Sequence, residues 1–198
     1  SSWSKNIVVV TAPHANAVPV AEYTLSQILF SLKNGWRFVR DVREKKEYPS
    51  KPFYHGDIWR YGRLISLSKI GRMVAELLKT FDIRVISYAP FAGPDDETRL
   101  NVTLASMDEI FKQSDVISLH APLLPESTGM ITGAHFSMKH NVSFINTARG
   151  AIVREREMIE VLKRRHDITA ILDVTDPEPP SLDSLLYTLP NVVNPAYC

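Results

Sequence analysis

Apolar residues in this chain fall into two kinds of run: short and β-branched, or long and spaced by three and four. Ile7 to Val10 (IVVV) is of the first kind, too short for a helix and suited to a strand buried on both faces. Val18, Ala21, Leu25, Ile28, Leu29 and Leu32 are of the second and predict one face of a long helix. Pro19 fits its first turn, where a missing N–H costs nothing. The pattern carries this helix through Trp36 and Val39 into the charged Arg43–Glu47 stretch. Pro49 and Pro52 break any regular pattern beyond it, so Tyr48 to His55 reads as loop.

From Leu64 onward strand and helix alternate. Leu64–Leu67 is a strand, Lys69–Thr80 an amphipathic helix and Ile83–Tyr88 a second strand. Ser106–Gln113 opens on a serine with Glu109 three residues on, the spacing of a capping box. Asp115–Leu119 is a third strand and Val142–Asn146 a fourth. Arg154–Arg165 is a helix whose basic end suits its dipole. Ile168–Leu172 is a fifth strand and Asn191–Val193 the start of a sixth. Apolar strands separated by amphipathic helices imply right-handed βαβ units and a parallel sheet covered on both faces. The expected fold class is α/β, a doubly wound parallel sheet.

Composition sharpens this only by exclusion. The 198 residues, 44% hydrophobic and 23% charged, suit one large domain with a core of its own. A net charge of +1 offers no electrostatic attraction for nucleic acid or an anionic membrane. No apolar run approaches the ~20 residues needed to span a bilayer, and Ser1–Asn6 has no signal architecture, so a cytoplasmic setting is expected. Cys198 is the one cysteine, which excludes a disulfide framework or a cysteine-based metal centre within one chain.

Ligands of doubly wound sheets bind outside the carboxyl ends of the strands, which directs attention to the residues after each one. Ser66-Leu67-Ser68-Lys69-Ile70-Gly71 has the spacing of a G-x-G-x-x-G phosphate turn, with serine at its first two glycine positions. A side chain at the second of these crowds the pyrophosphate, and a serine hydroxyl offsets part of that by donating to a phosphate oxygen. After the second strand comes Ala89, where an NAD site uses an acid for the ribose hydroxyls.

Five segments are more specific: VPVAEYTL (Val18–Leu25), SDVISLHAPLLPEST (Ser114–Thr128), FINTARGAIV (Phe144–Val153), ILDVTDPEPP (Ile171–Pro180) and LPNVVNP (Leu189–Pro195). In this order and spacing they resemble the cofactor domain of the D-2-hydroxyacid dehydrogenases, which include phosphoglycerate, D-lactate and formate dehydrogenases. The resemblance covers nearly the whole chain. It implies a Rossmann-like NAD-binding domain over residues 17–194, entered through residues 1–16. Residues 195–198 would begin the return to a substrate domain that is largely absent.

The resemblance also implies roles. Arg149 would bind the substrate carboxylate and carbonyl, for which a planar guanidinium is suited. Glu178, five residues after Asp173, would orient a histidine and stabilise its charged form. Asp173 would lie against the nicotinamide carboxamide. Ser66, Ser68, Lys69, Ile70 and Ala89 would face the adenosine diphosphate, His120, Thr147 and Ala148 the nicotinamide side, and Ala121 and Pro122 the bridge between them. The expected cofactor is NAD, with NADP possible because Ala89 cannot repel a 2′-phosphate. The expected substrate is a small 2-hydroxy or 2-keto acid. A homodimer would form through the helix near residues 18–39.

One element of the pattern is missing. The general acid/base histidine should follow the proline of the last strand, and Ala196 stands there. His14, His55, His135, His140 and His166 lie in loop-like or exposed contexts and do not replace it. Three functions therefore stay open: an oxidoreductase, a non-catalytic dinucleotide sensor or scaffold like the corepressors of this fold, and a structural fragment that dimerises and binds nothing.

Overall fold

The strand residues of this chain feed two cores in alternation, and that alternation fixes the architecture. A computed structural model describes residues 16–46, 61–137 and 139–194. The strand expected at Ile7–Val10, the loop Tyr48–His55, His14, His55, Ala196 and Cys198 lie outside the described residues.

Among the described residues, seven strands form one parallel sheet: β1 (Tyr61–Ile65), β2 (Arg84–Tyr88), β3 (Val102–Leu104), β4 (Val116–Leu119), β5 (Ser143–Asn146), β6 (Thr169–Leu172) and β7 (Val192–Val193). Their spatial order is β3-β2-β1-β4-β5-β6-β7. Successive positions in a strand point to opposite faces. Leu64, Val116, Ile145 and Ile171 accordingly join one core with Ala21, Ile28, Val74 and Leu78. Their neighbours Ile65, Ile117, Phe144 and Ala170 join a second core with Ile110, Phe111, Met158 and Leu162. The helices divide in the same way. Residues of α1 (Ala17–Leu32), α3 (Lys69–Leu78) and α4 (Pro94–Leu100) pack on the first face; those of α5 (Met107–Gln113), α6 (Gly133–Phe136) and α7 (Glu155–Leu162) pack on the second. This is the doubly wound α/β sheet expected from the pattern.

Four features correct the sequence reading. The first helix does not run unbroken to Val39: α1 ends at Leu32, and α2 (Gly35–Lys45) begins after Asn34, whose φ is 56°. Asparagine tolerates that left-handed conformation. A Cβ at Gly35 would lie 2.4 Å from the far end of the Phe30 ring, and that ring, being exposed, would have to turn aside. The first strand of the sheet begins at Tyr61 and ends at Ile65, so Gly62 and Arg63 are inside it and Ser66 and Leu67 beyond it. Arg63 is buried because its guanidinium reaches the end of α5, donating to the carbonyls of Glu109 at 3.3 Å and Gln113 at 3.4 Å.

The sequence reading also passed over α4 and the edge strand β3, which is three residues long and follows Asn101 at φ 52°. Finally, α7 ends at Leu162, with its basic residues just beyond the last turn. The capping box at α5 is present as expected: the Ser106 N–H donates to Glu109 Oε2 at 2.9 Å, and the Glu109 N–H donates to Ser106 Oγ at 3.3 Å.

Candidate functional site

The carboxyl ends of five strands are level. Ile65 is in register with Tyr88 on one side and Leu119 on the other, Leu119 with Asn146, and Asn146 with Leu172. The next residue along each strand is then Ala89, Ser66, His120, Thr147 or Asp173. Ladder bonds extend into this row: Ser66 N–H to Tyr88 O at 2.7 Å, His120 N–H to Ile65 O at 2.8 Å and Asp173 N–H to Asn146 O at 3.0 Å. The residues singled out in five separate sequence segments thus stand along one edge. The strand order reverses there, between β1 and β4, which is where such sheets bind ligands.

The turn after β1 is tight. Ser66 has φ 77°, a region that costs a non-glycine residue ~1–3 kcal/mol. Ser68 is the N-cap of α3, and its hydroxyl accepts the Gly71 N–H at 3.4 Å. A Cβ at Gly71 would lie 2.3 Å from the Ser66 carbonyl oxygen and 3.3 Å from His120 Cβ. The third glycine position is therefore required by close packing of helix on strand. Lys69, partly buried with Ile70 at the start of α3, has a buried Nζ with no hydrogen-bond partner among the described residues.

His120 lies beneath this turn, 4% exposed, with Nε2 2.9 Å from Ser118 Oγ. Burial lowers its pKa to about 4, so the ring is neutral at physiological pH. Ala121 is also buried, while Pro122 is exposed. Ala89, partly buried, opens a turn closed by the Ala92 N–H on the Ala89 carbonyl at 3.0 Å. Two acids farther along have other partners. Asp96 is held by Arg72 through two hydrogen bonds, which, with help from Arg99, lower its pKa to about 2. Glu97 accepts the Leu104 N–H at 2.7 Å.

The turn after β5 is shaped by its own side chains. Asn146, 1% exposed, accepts the Ala148 N–H at 3.0 Å and donates to the Arg149 carbonyl at 3.1 Å. Thr147 Oγ1 lies 3.2 Å from Oγ1 of Thr24, a fully buried residue of α1. Arg149 is exposed, and its guanidinium folds back on the Ala148 carbonyl at 2.6 Å. Gly150 meets the turn after β6 so closely that a Cβ would lie 2.1 Å from the Thr175 carbonyl. In that second turn Asp173 is partly buried and Glu178 exposed.

Sequence reasoning missed Asn146 and Thr24 as supports. Thr24 had a visible signal, being a polar residue in the stripe that buries Ala17, Ala21 and Ile28.

The remaining described histidines lie elsewhere. His140 Nδ1 is 3.5 Å from Asp167, and His166 Nε2 is 3.1 Å from the Lys163 carbonyl. His135 corrects the expectation of an exposed loop residue. It is partly buried in α6, where its Nδ1 accepts the Thr132 N–H at 3.0 Å, its ring centroid is 4.9 Å from that of Phe111, and burial lowers its pKa. No cluster of histidine, cysteine and carboxylate able to hold a metal occurs among the described residues. No helix among them is long and apolar enough to cross a membrane.

Comparison with known proteins shows the family and the fold. Residues 26–198 match the family described as D-isomer specific 2-hydroxyacid dehydrogenase, NAD binding domain. The chain is 34% identical over 195 residues to D-3-phosphoglycerate dehydrogenase of Archaeoglobus fulgidus, covering 98% of this chain and 37% of that one. It is 33% identical over 186 residues to chloroplastic D-3-phosphoglycerate dehydrogenase 2 of Arabidopsis thaliana, covering 93% and 30%. It thus spans about a third of the length of these curated relatives. Among solved structures, D-lactate dehydrogenase with NAD+ from Lactobacillus jensenii superposes with a TM-score of 0.76 at 25% identity, over 98% of this chain and 62% of that one. NAD-dependent formate dehydrogenase from Staphylococcus aureus in complex with NAD gives 0.76 at 26% identity, over 92% and 56%.

Proposed function

The chain belongs to the D-isomer specific 2-hydroxyacid dehydrogenases as an NAD-binding domain, and from that premise we propose that it is the cofactor half of an oxidoreductase acting on a 2-hydroxy or 2-keto acid. The observation that carries this reading is the level row of strand ends, which brings Ser66, Ala89, His120, Thr147 and Asp173 to one edge. A dinucleotide fits that edge. The buried Lys69 amine, unpartnered among the described residues, and the N-terminal amides of α3 suit a diphosphate, and Gly71 keeps the helix close enough to present them. When bound, NAD supplies the hydride chemistry, and the protein binds, orients and polarises.

Within this reading, Ser66, Ser68, Lys69, Ile70 and Ala89 line the adenosine diphosphate side. Thr147, Ala148 and Asp173 line the nicotinamide side, with Ala121 and Pro122 between. His120, being buried, contributes through its backbone and as a spacer under the turn. The exposed Arg149 guanidinium, bonded among the described residues to the neighbouring Ala148 carbonyl, would swing onto a substrate carboxylate. Glu178 would support a proton donor supplied from elsewhere, since Ala196 stands at that position. The outward faces of α1 and α2, with Val18, Phe30, Val39 and Val42 exposed, form the surface of a homodimer.

The Arg149 assignment is tested by Arg149→Lys in the protein that carries this domain. Lysine keeps the charge and loses the two-pronged fit. The Michaelis constant for a 2-keto acid rises, and NADH affinity stays within about twofold. An unchanged Michaelis constant and rate would remove Arg149 from the site. A second reading, a non-catalytic NAD(H) sensor, is favoured by Ala196 in place of the acid/base histidine. Retention of Arg149 and Glu178 weighs against it.

A further inference from the structure

The turn after β6 carries both Asp173 and Glu178, and a side chain from another element reaches its middle. Glu155 is the first residue of α7, partly buried. Its Oε2 accepts the Asp176 backbone N–H at 2.9 Å, across 21 positions of sequence. Burial raises its pKa, and the nearby Asp176 carboxylate adds to that, against the lowering effect of the bond. An acid in a helix's first turn is ordinary, since it complements the dipole. A helix-end role does not account for the bond to Asp176.

The same peptide unit is held a second time. Its carbonyl, on Thr175, is the group that a Cβ on Gly150 would strike at 2.1 Å, and the Asp176 nitrogen would be 2.6 Å away. The backbone of the Arg149 turn therefore rests on the Thr175–Asp176 peptide, while Glu155 holds that peptide's N–H. Inside the turn, Thr175 Oγ1 donates to the Pro177 carbonyl at 2.8 Å.

We propose that Glu155 is a positioning residue, which sets the Asp173–Glu178 turn against the Arg149 turn by holding the Asp176 amide. This rests on the reading of those two turns as the nicotinamide half of the site. Glu155→Ala then frees the Asp176 amide and displaces Asp173, while the phosphate turn, built on β1 and α3, stays as it was. Glu155→Gln keeps an oxygen acceptor for the same N–H and preserves the arrangement.

The test uses the full chain and two ligands, NADH and ADP-ribose, which lacks the nicotinamide. Glu155→Ala weakens NADH by roughly two- to tenfold, the worth of one hydrogen bond, and leaves ADP-ribose unchanged. Glu155→Gln restores NADH affinity. Hydrogen exchange at the Asp176 amide is faster in Glu155→Ala and as slow as in the unaltered chain in Glu155→Gln. Equal loss for both ligands, no loss for either, or no rescue by glutamine would overturn the proposal. Should Glu155→Ala fail to fold, slow Asp176 exchange and full NADH affinity in Glu155→Gln support it, and fast exchange overturns it. Binding of neither ligand by the unaltered chain would instead overturn the underlying reading.

Discussion

The two halves of the ligand edge are built by different means. On the β5–β6 side the turn is made by residues suited to it: Asn146 bonds both Ala148 and Arg149, and Gly150 packs on Thr175. On the β1–β2 side the phosphate turn holds Ser66 at φ 77°. It has Ser68 where a second glycine would admit a diphosphate, and Ala89 where a ribose acid would stand. One side is bonded internally through its polar groups; the other is set by close packing and has serine and alanine where a dinucleotide turn uses glycine and an acid. Level strand ends and the close approach at Gly71 are properties of the core, whereas recognition depends on individual side chains.

The largest expected effect bears on catalysis. Ala196 cannot donate a proton, and loss of a positioned acid/base typically costs ~10²–10⁴-fold in rate. The 198-residue chain should therefore show no appreciable reduction of a 2-keto acid in an NADH-oxidation assay. Robust turnover, with the mass of the polypeptide verified, would break the comparison by showing that Arg149, Glu178 and their surroundings suffice. The next effect compares the glycines that brace each half. Gly150→Ala places a Cβ 2.1 Å from the Thr175 carbonyl, and Gly71→Ala places one 2.3 Å from the Ser66 carbonyl oxygen. Each substitution meets backbone, so each should destabilise by about 1–3 kcal/mol, the usual cost of overpacking, in urea unfolding. A neutral Gly71→Ala would show that the phosphate turn yields, and that the two halves differ in rigidity as well as in residues.

Much of the fold was legible because strand burial leaves a plain mark. VISL at Val116–Leu119 and TAIL at Thr169–Leu172 are buried along their whole length, and both read as strands from sequence. The edge strand Val102–Leu104 did not, because three residues with an exposed threonine at the centre are too few to show a period. The break at Asn34 was hidden for a different reason. Apolar spacing continues across it through Trp36 and Val39, and a left-handed asparagine leaves no gap in a hydrophobic pattern. In the site, positions just beyond strands could be named from the motifs. The bonds from Thr24 to Thr147 and from Glu155 to Asp176 span 123 and 21 positions. Such contacts follow from how helices dock on the sheet, which local sequence does not encode.

The central claim is that this edge binds a dinucleotide, with its adenosine side weakened. Ala89 neither accepts bonds from ribose hydroxyls nor repels a 2′-phosphate, and no lysine or arginine occurs from Ala89 to Asp96 to attract one. The most direct measurement is a fluorescence titration of the unaltered chain and Ala89→Asp with NADH and NADPH. The account predicts weak binding of both by the unaltered chain, with a preference for NADH below about tenfold, or ~1.4 kcal/mol, and a larger preference in Ala89→Asp. Tight and strongly NADH-selective binding by the unaltered chain would contradict it, as would binding of neither cofactor.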